Sequence, residues 1–484
     1  MRQNLKDPAY ELELPPDIMR SLVEQAMERI VSYVASLPAQ PASDVEEGEE
    51  AARSVMEPLP DAGSSYGSIL DLLFERLFPK TYNSAGPGYL AYIPGGGIFH
   101  TAVADLISDS INRYVGVWAA APALAQIEAV VARWFGEIVG YPPGCRGLLT
   151  TGGSMANFTA IVTARRERLP ENFLQGVIYA SDQVHHSVTK AAILAGFPEG
   201  NVREIPVDDR FRIRPDALLD AVASDRWNGR TPFMLVGNAG TTNTGAVDDL
   251  AGLADLARQE RLWLHIDGAY GAFFMLTERG RKVMRGIERS DSVTLDPHKA
   301  LFLPYGTGSL LVRDGEALRR AHSIHAHYLP PMQEDPEFVD LCQYSPELSR
   351  AFRGLRVWLP FKMHGIGPFR ASLEEKLDLT EWATRELRTI PGIEIVAEPQ
   401  LTVVAFRFVR PGLDLPALNQ LNRRLIESIN ARKRVLLTGT VLDGKFVIRI
   451  CVLSFRTHMD RVTACLQDIR ASLHSLQAEP LPEV

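Results

Sequence analysis

Between about residues 145 and 315 the chain alternates short apolar runs with longer amphipathic stretches, and no other feature constrains the fold as strongly. The apolar runs fall at 177–180, 233–236, 262–266, 293–295 and 308–312, and the helix-like stretches near 154–168, 186–195, 214–223 and 248–260. Runs this short cannot be buried helices. As strands that are apolar along their whole length they need cover on both faces. The pattern therefore predicts an α/β fold with a mostly parallel central sheet and helices on both faces. In such sheets ligands bind outside the carboxyl ends of the strands.

The flanks are different. Ile18, Leu22, Ala26, Ile30 and Val34 form one stripe on a helix over 17–37, and a second helix is expected at 67–78. Residues 38–65, with the run Glu46-Glu47-Gly48-Glu49-Glu50, read as an exposed acidic connector. The last 110 residues carry a helix-like stretch at 371–389 and strand candidates at 402–408 and 446–453, which suggests a smaller α+β unit. The expected division is a helical dimerisation segment (1–96), a large α/β domain (97–358) and a small C-terminal α+β domain (359–484). At 46% hydrophobic and 23% charged residues the chain can bury a real core, which excludes long disorder. A net charge of −8 argues against nucleic acid as the main partner. Cys145, Cys342, Cys451 and Cys465 are widely spaced, with no disulfide framework or thiolate zinc motif. The N-terminal residues Met1–Asp7 lack a signal-type apolar core, and the apolar stretch at 115–125 is too short to span a bilayer. The expectation is a cytoplasmic protein with neither a membrane nor a nucleic-acid partner.

Four segments carry chemistry. In Ser292-Val293-Thr294-Leu295-Asp296-Pro297-His298-Lys299 an apolar strand ends at a histidine and a lysine, and a desolvated lysine amine can form a Schiff base. In Leu262-Trp263-Leu264-His265-Ile266-Asp267-Gly268-Ala269-Tyr270 a strand delivers an acid, followed by small residues that leave room for a flat ligand. A buried carboxylate needs a cationic partner, such as a protonated pyridine nitrogen; a metal reading of His265 and Asp267 is the alternative. Thr150-Thr151-Gly152-Gly153-Ser154 opens a helix whose N-terminal N–H groups suit a phosphate, although Gly-Gly-Ser is also a common turn. In Tyr179-Ala180-Ser181-Asp182-Gln183-Val184-His185-His186 a histidine follows another strand, placed to stack on an aromatic ring or to serve the core. Together, in this order, the four supply what pyridoxal 5′-phosphate requires of a protein.

From about Gly88 to Arg449 the sequence resembles the group II pyridoxal-phosphate decarboxylases, enzymes of fold type I that act on aromatic amino acids, histidine and glutamate. The resemblance assigns Lys299 as the cofactor lysine, His185 as the stacking histidine and Asp267 as the partner of the pyridine nitrogen. It puts Ala269 against the ring, Gly153 and Ser154 at the phosphate, and Thr242 and His298 beside the cofactor. His325-Ala326-His327-Tyr328-Leu329-Pro330-Pro331 is similar to the start of the family's mobile loop, with Tyr328 as proton donor to Cα. The resemblance also implies a homodimer and an amino acid substrate. Tyr92, Ile93, Pro94, Phe99 and Trp118 would form an apolar pocket wall, which favours an aromatic L-amino acid. No arginine for an acidic substrate stands in 88–100, although Arg353 could serve from elsewhere. Asp296 departs from the asparagine common in animal members, Ala300 from a bulkier residue, and Gly95-Gly96-Gly97 from larger side chains. The expected reaction is decarboxylation to the amine and carbon dioxide. Its rivals are oxidative decarboxylation to an aldehyde, an acidic or aliphatic substrate, and a non-catalytic homologue. The roles of His322, His325 and His327 stay open, and no metal is expected.

Overall fold

The computed structural model describes residues 11–324, 329–335 and 337–478. Its central sheet contains β1 (Arg146–Thr150), β2 (Gly176–Ser181), β3 (Val202–Ile205), β4 (Thr231–Asn238), β5 (Trp263–Asp267), β6 (Ser292–Leu295) and β7 (Gly308–Val312). The strand order is β1-β7-β6-β5-β4-β2-β3. The β3-β2-β4-β5-β6 run is parallel, and β7 runs antiparallel to both of its neighbours. The architecture is thus the α/β fold expected, with a mostly parallel sheet. β1 and β3 were not anticipated from the sequence pattern. β1 opens on Arg-Gly, and β3 is an edge strand, Val-Arg-Glu-Ile, with three of its four residues outside the buried core. β2 and β5, by contrast, are buried along their whole length, which is why they are continuously apolar.

The crossover helix Gly153–Arg168 buries Gly153, Ala156, Asn157, Ala160, Ile161 and Ala164, and its small residues let it lie close on the sheet. At Gly308 a Cβ would meet the Gly152 backbone at 2.4 Å, so only glycine fits beneath the Thr151–Gly153 turn. Because β1 is parallel to β6, the chain leaves β1, β2, β4, β5 and β6 on the same edge of the sheet.

A second, antiparallel sheet has the order β10-β11-β9-β8, with β8 (Ile393–Ala397), β9 (Val403–Phe408), β10 (Thr438–Leu442) and β11 (Lys445–Cys451). Leu379, Leu387, Leu425, Ile429, Val462 and Ile469 of its covering helices pack into one core with the sheet. β9 and β11 lie where predicted; the edge strands β8 and β10 are partly exposed and carry weaker patterns.

Helix Pro16–Ser36 forms as expected but has no buried residue in the single chain. The connector is less free than its composition suggests. Ala42 is buried and its N–H donates to the Lys433 carbonyl at 2.8 Å. Asp44 pairs with Lys80 at 3.5 Å and with Lys433 at 3.2 Å. The second predicted helix is a composite: Tyr66–Asp71 continues as a π segment, Leu72–Leu77, and a 3-10 turn, Phe78–Lys80. All four cysteines are unpaired. Among the described residues no helix is long and apolar enough to cross a membrane.

Candidate active site

At the shared strand edge lies a cavity of about 280 Å³. Gly153, Ser154, His185, Thr242, Asp267, Ala269, His298 and Lys299 all line it, so residues far apart in the chain meet in one place.

Asp267 ends β5 and is 7% exposed. Its Oδ2 accepts from Asn157 Nδ2 at 3.0 Å and its Oδ1 from the Ala269 N–H at 3.2 Å. Asn157 sits one turn into helix Gly153–Arg168. It accepts from Thr294 Oγ1 at 2.7 Å and donates to Ser187 Oγ at 3.0 Å, and Ser187 Oγ lies 2.8 Å from His185 Nδ1. One buried amide thus orients both the acid and the imidazole. His265 supports it: Nε2 is 3.1 Å from Asn157 Oδ1, and Nδ1 is 2.8 Å from Ser292 Oγ. Burial pushes His265 down to about 4 against the pull of Asp267, so the ring is neutral at neutral pH. Both its nitrogens are engaged, which answers the metal reading of His265 and Asp267: the pair is joined through an amide. Burial also lowers His185, against the opposing charge of Asp267, and favours the neutral ring that stacks on a flat ligand.

Lys299 Nζ lies 2.9 Å from Asp296 Oδ2. His298 Nδ1 is 2.7 Å from the Thr307 carbonyl, which turns Nε2 towards the cavity. A Cβ on Gly153 would come within 2.9 Å of Asp296 Oδ2 and 3.2 Å of Ala269 Cβ, so glycine is what lets the helix start pack this closely on the ends of β5 and β6. The Thr242 carbonyl accepts from Arg449 of β11, whose guanidinium also donates to the carbonyls of Asn243 at 2.8 Å and Tyr92 at 3.2 Å. Arg449 therefore ties the second sheet to the cavity rim.

Asn157, Ser187, Asp296 as a lysine partner and Arg449 were not picked out from the sequence. Asn157 had a usable signal, since it follows Gly153 by one helical turn and so shares its face. Arg449 had none, because its contact spans more than 200 residues.

The expected pocket wall is not part of this lining. Tyr92, at φ 51°, is half exposed and stacks on Tyr89 at 6.4 Å. Ile93 packs on the main core, Pro94 is buried, and Phe99 opens the helix Phe99–Ile111 with 37% of its surface exposed. Trp118 stacks on Phe338 at 4.7 Å, and its backbone N–H donates to Asp340 Oδ1 at 2.6 Å. The resemblance put these five residues at the substrate wall, but within one chain they do not line this cavity. The nearest link is Gly95, where a Cβ would meet the His298 carbonyl at 2.8 Å. Arg353 is engaged by Glu347 at 2.7 and 2.9 Å and does not line the cavity within one chain. His322 is packed against Thr163 at 3.2 Å and pushed by burial to about 4. Tyr328, with His325 and His327, lies outside the described residues.

An amine and an acid at adjacent strand ends, a neutral imidazole and a bare helix N-terminus define a pyridoxal-phosphate-binding enzyme, and the residues present fit that cofactor. The chain belongs to the pyridoxal-dependent decarboxylase family, whose conserved domain matches residues 50–409. It is 35% identical over 462 residues to the aromatic-L-amino-acid decarboxylase of Bacillus atrophaeus, covering 95% of this chain and 96% of that one. Among solved structures, Oryza sativa TDC with PLP and tryptamine superposes with a TM-score of 0.90 at 25% identity, over 96% of this chain and 99% of that one. The 4-hydroxyphenylacetaldehyde synthase of Rhodiola rosea shares the fold, with a TM-score of 0.88 at 23% identity over 96% and 99% of the two chains. The protein is a pyridoxal-phosphate-dependent carboxy-lyase.

Proposed function

We propose that the substrate is an aromatic L-amino acid, converted to its amine and carbon dioxide. The observation that carries the chemistry is the delivery of Asp267 and Lys299 into one cavity by adjacent strands. The aromatic preference is supported by the bacterial relative's name and by the tryptamine in the rice structure. When bound, the cofactor supplies an electron sink for the pair left at Cα as carbon dioxide departs. Asp267 holds the proton on the pyridine nitrogen, and Asn157 keeps that carboxylate in place. His185 would pack against the ring, and Ala269 is small enough to leave the ring room. Gly153, Ser154, Thr242 and His298 would hold the phosphate end, and the amine of Lys299 would hold the aldehyde end. Tyr328 would supply the proton to Cα.

Twenty amino acids assayed for carbon dioxide, amine and aldehyde test this directly. Carbon dioxide and equimolar amine are expected from tyrosine, phenylalanine, tryptophan or DOPA, and equal turnover of acidic or aliphatic substrates would refute the aromatic assignment. In the same assay Tyr328→Phe is expected to divert product from amine to aldehyde, ammonia and peroxide, with dissolved oxygen as oxidant. Unchanged amine with no aldehyde would falsify the proton-donor role.

The active unit is proposed to be a homodimer in a reducing, cytoplasmic setting. The support is helix Pro16–Ser36, 21 residues with none buried and with Ile18, Met19, Val23 and Val31 exposed. Light scattering should give twice 53.6 kDa for the intact chain and a lower mass, with lost activity, after removal of residues 1–80. A fully active monomer counts against the dimer.

A further inference from the structure

Asp296 is a cavity residue to which the catalytic reading gives no task. Its backbone is fixed on both sides: the N–H donates to the Ala269 carbonyl at 3.1 Å, and its carbonyl accepts from the Lys299 N–H at 2.9 Å. The side chain is 2% exposed, and a buried carboxylate is costly unless its charge and lone pairs are met. Oδ2 meets Lys299 Nζ at 2.9 Å, with His298 Nε2 at 3.6 Å. Oδ1 has no hydrogen-bond partner among the described residues. The carboxylate therefore has one strong partner, the lysine amine, and an asparagine of the same shape would leave that amine with only the more distant charge of Asp267.

We propose that Asp296 is a positioning residue for Lys299: its carboxylate holds the amine as an ammonium at the cavity wall and sets the pH at which the amine becomes nucleophilic. This rests on the reading of Lys299 as the cofactor amine. The other titratable groups facing Lys299 are Asp267 from β5, His185 after β2, His298 beside it, Tyr305 before β7 and Cys451 at the end of β11. Burial works against the ammonium, but Asp296, with Asp267 behind it, outweighs burial and holds Lys299 above the usual lysine range. Only the neutral amine attacks an aldehyde, so a raised lysine reacts slowly at neutral pH and faster as pH rises. In that step the C=N bond forms and the aldehyde oxygen leaves as water. Both hydrogens of the water come from the ammonium, and its third proton stays on the linkage, which keeps its positive charge beside Asp296.

The test uses cofactor-free full-length protein mixed with pyridoxal 5′-phosphate or with pyridoxal, following C=N absorbance across about pH 7 to 12, a range that spans the ordinary lysine value. Asp296→Asn is expected to move the rate midpoint to lower pH with both aldehydes. Each pH unit by which the midpoint falls should raise the rate at pH 7 about tenfold. Asp296→Glu should restore the original midpoint. Identical midpoints in wild type and Asp296→Asn overturn the proposal. So does a change confined to the phosphorylated aldehyde, which would place the carboxylate's effect on phosphate rather than on the amine. If Asp296→Asn does not fold, competitive acylation of the wild-type protein, read at the Lys299 peptide, decides: a midpoint at or below that of exposed lysines overturns the role. Borohydride fixation at another lysine would instead overturn the reading of Lys299.

Discussion

Lys299→Arg is expected to leave a folded protein whose decarboxylation is at least about 10³-fold slower, because guanidinium stays protonated and cannot anchor an aldehyde. Borohydride reduction and peptide mapping should label Lys299 in the wild type and nothing in the variant. Lys299→Ala loses the same activity and stability as well. It strands Asp296, 2% exposed, without the cation now at 2.9 Å, and breaking such a pair costs about 3 kcal/mol. The two variants thus separate the chemical role of the amine from its structural role, with thermal denaturation of cofactor-free protein as the second readout. A borohydride-fixed cofactor on a different lysine in Lys299→Arg would remove the assignment.

Asp267→Asn is the second large effect, with kcat expected to fall by about 10²–10³, the usual scale for losing one preorganised electrostatic contact. The amide fills the same space and its oxygen can still accept from Asn157 Nδ2, now at 3.0 Å. Its NH₂ then faces the Ala269 N–H, donor against donor, at a cost of about 1 kcal/mol. The variant should fold and still show borohydride labelling at Lys299, so the loss falls on turnover rather than on attachment. Asp267→Asn turnover within tenfold of wild type would show that the carboxylate does not hold the ring proton.

The network behind these residues shows why a site can be legible while its support is not. His185, Asp267 and Lys299 each end or follow an apolar run, so their place at a strand end is a local property that period and composition encode. Asn157 sits among small residues on a crossover helix, and its task is defined by Asp267, Ser187 and Thr294, up to 137 residues away. Thr242 could be placed beside the cavity, but the grip of Arg449 on its carbonyl depends on how the second sheet packs.

Local pattern encodes the α/β class, most strands of the main sheet, the helices between them and the cofactor cluster, because strand length, helical period and turn chemistry are written within a few residues of each position. Tertiary structure alone decided the reversed direction of β7, the edge strands β1, β3, β8 and β10, the pairing of Asp296 with Lys299, and the placing of Tyr92, Phe99 and Trp118 outside the cavity. Those outcomes rest on which strand edge and which buried charge finds a partner. That is settled by register and burial across the whole chain, and the same residues in the same order could satisfy other pairings until the sheet closes.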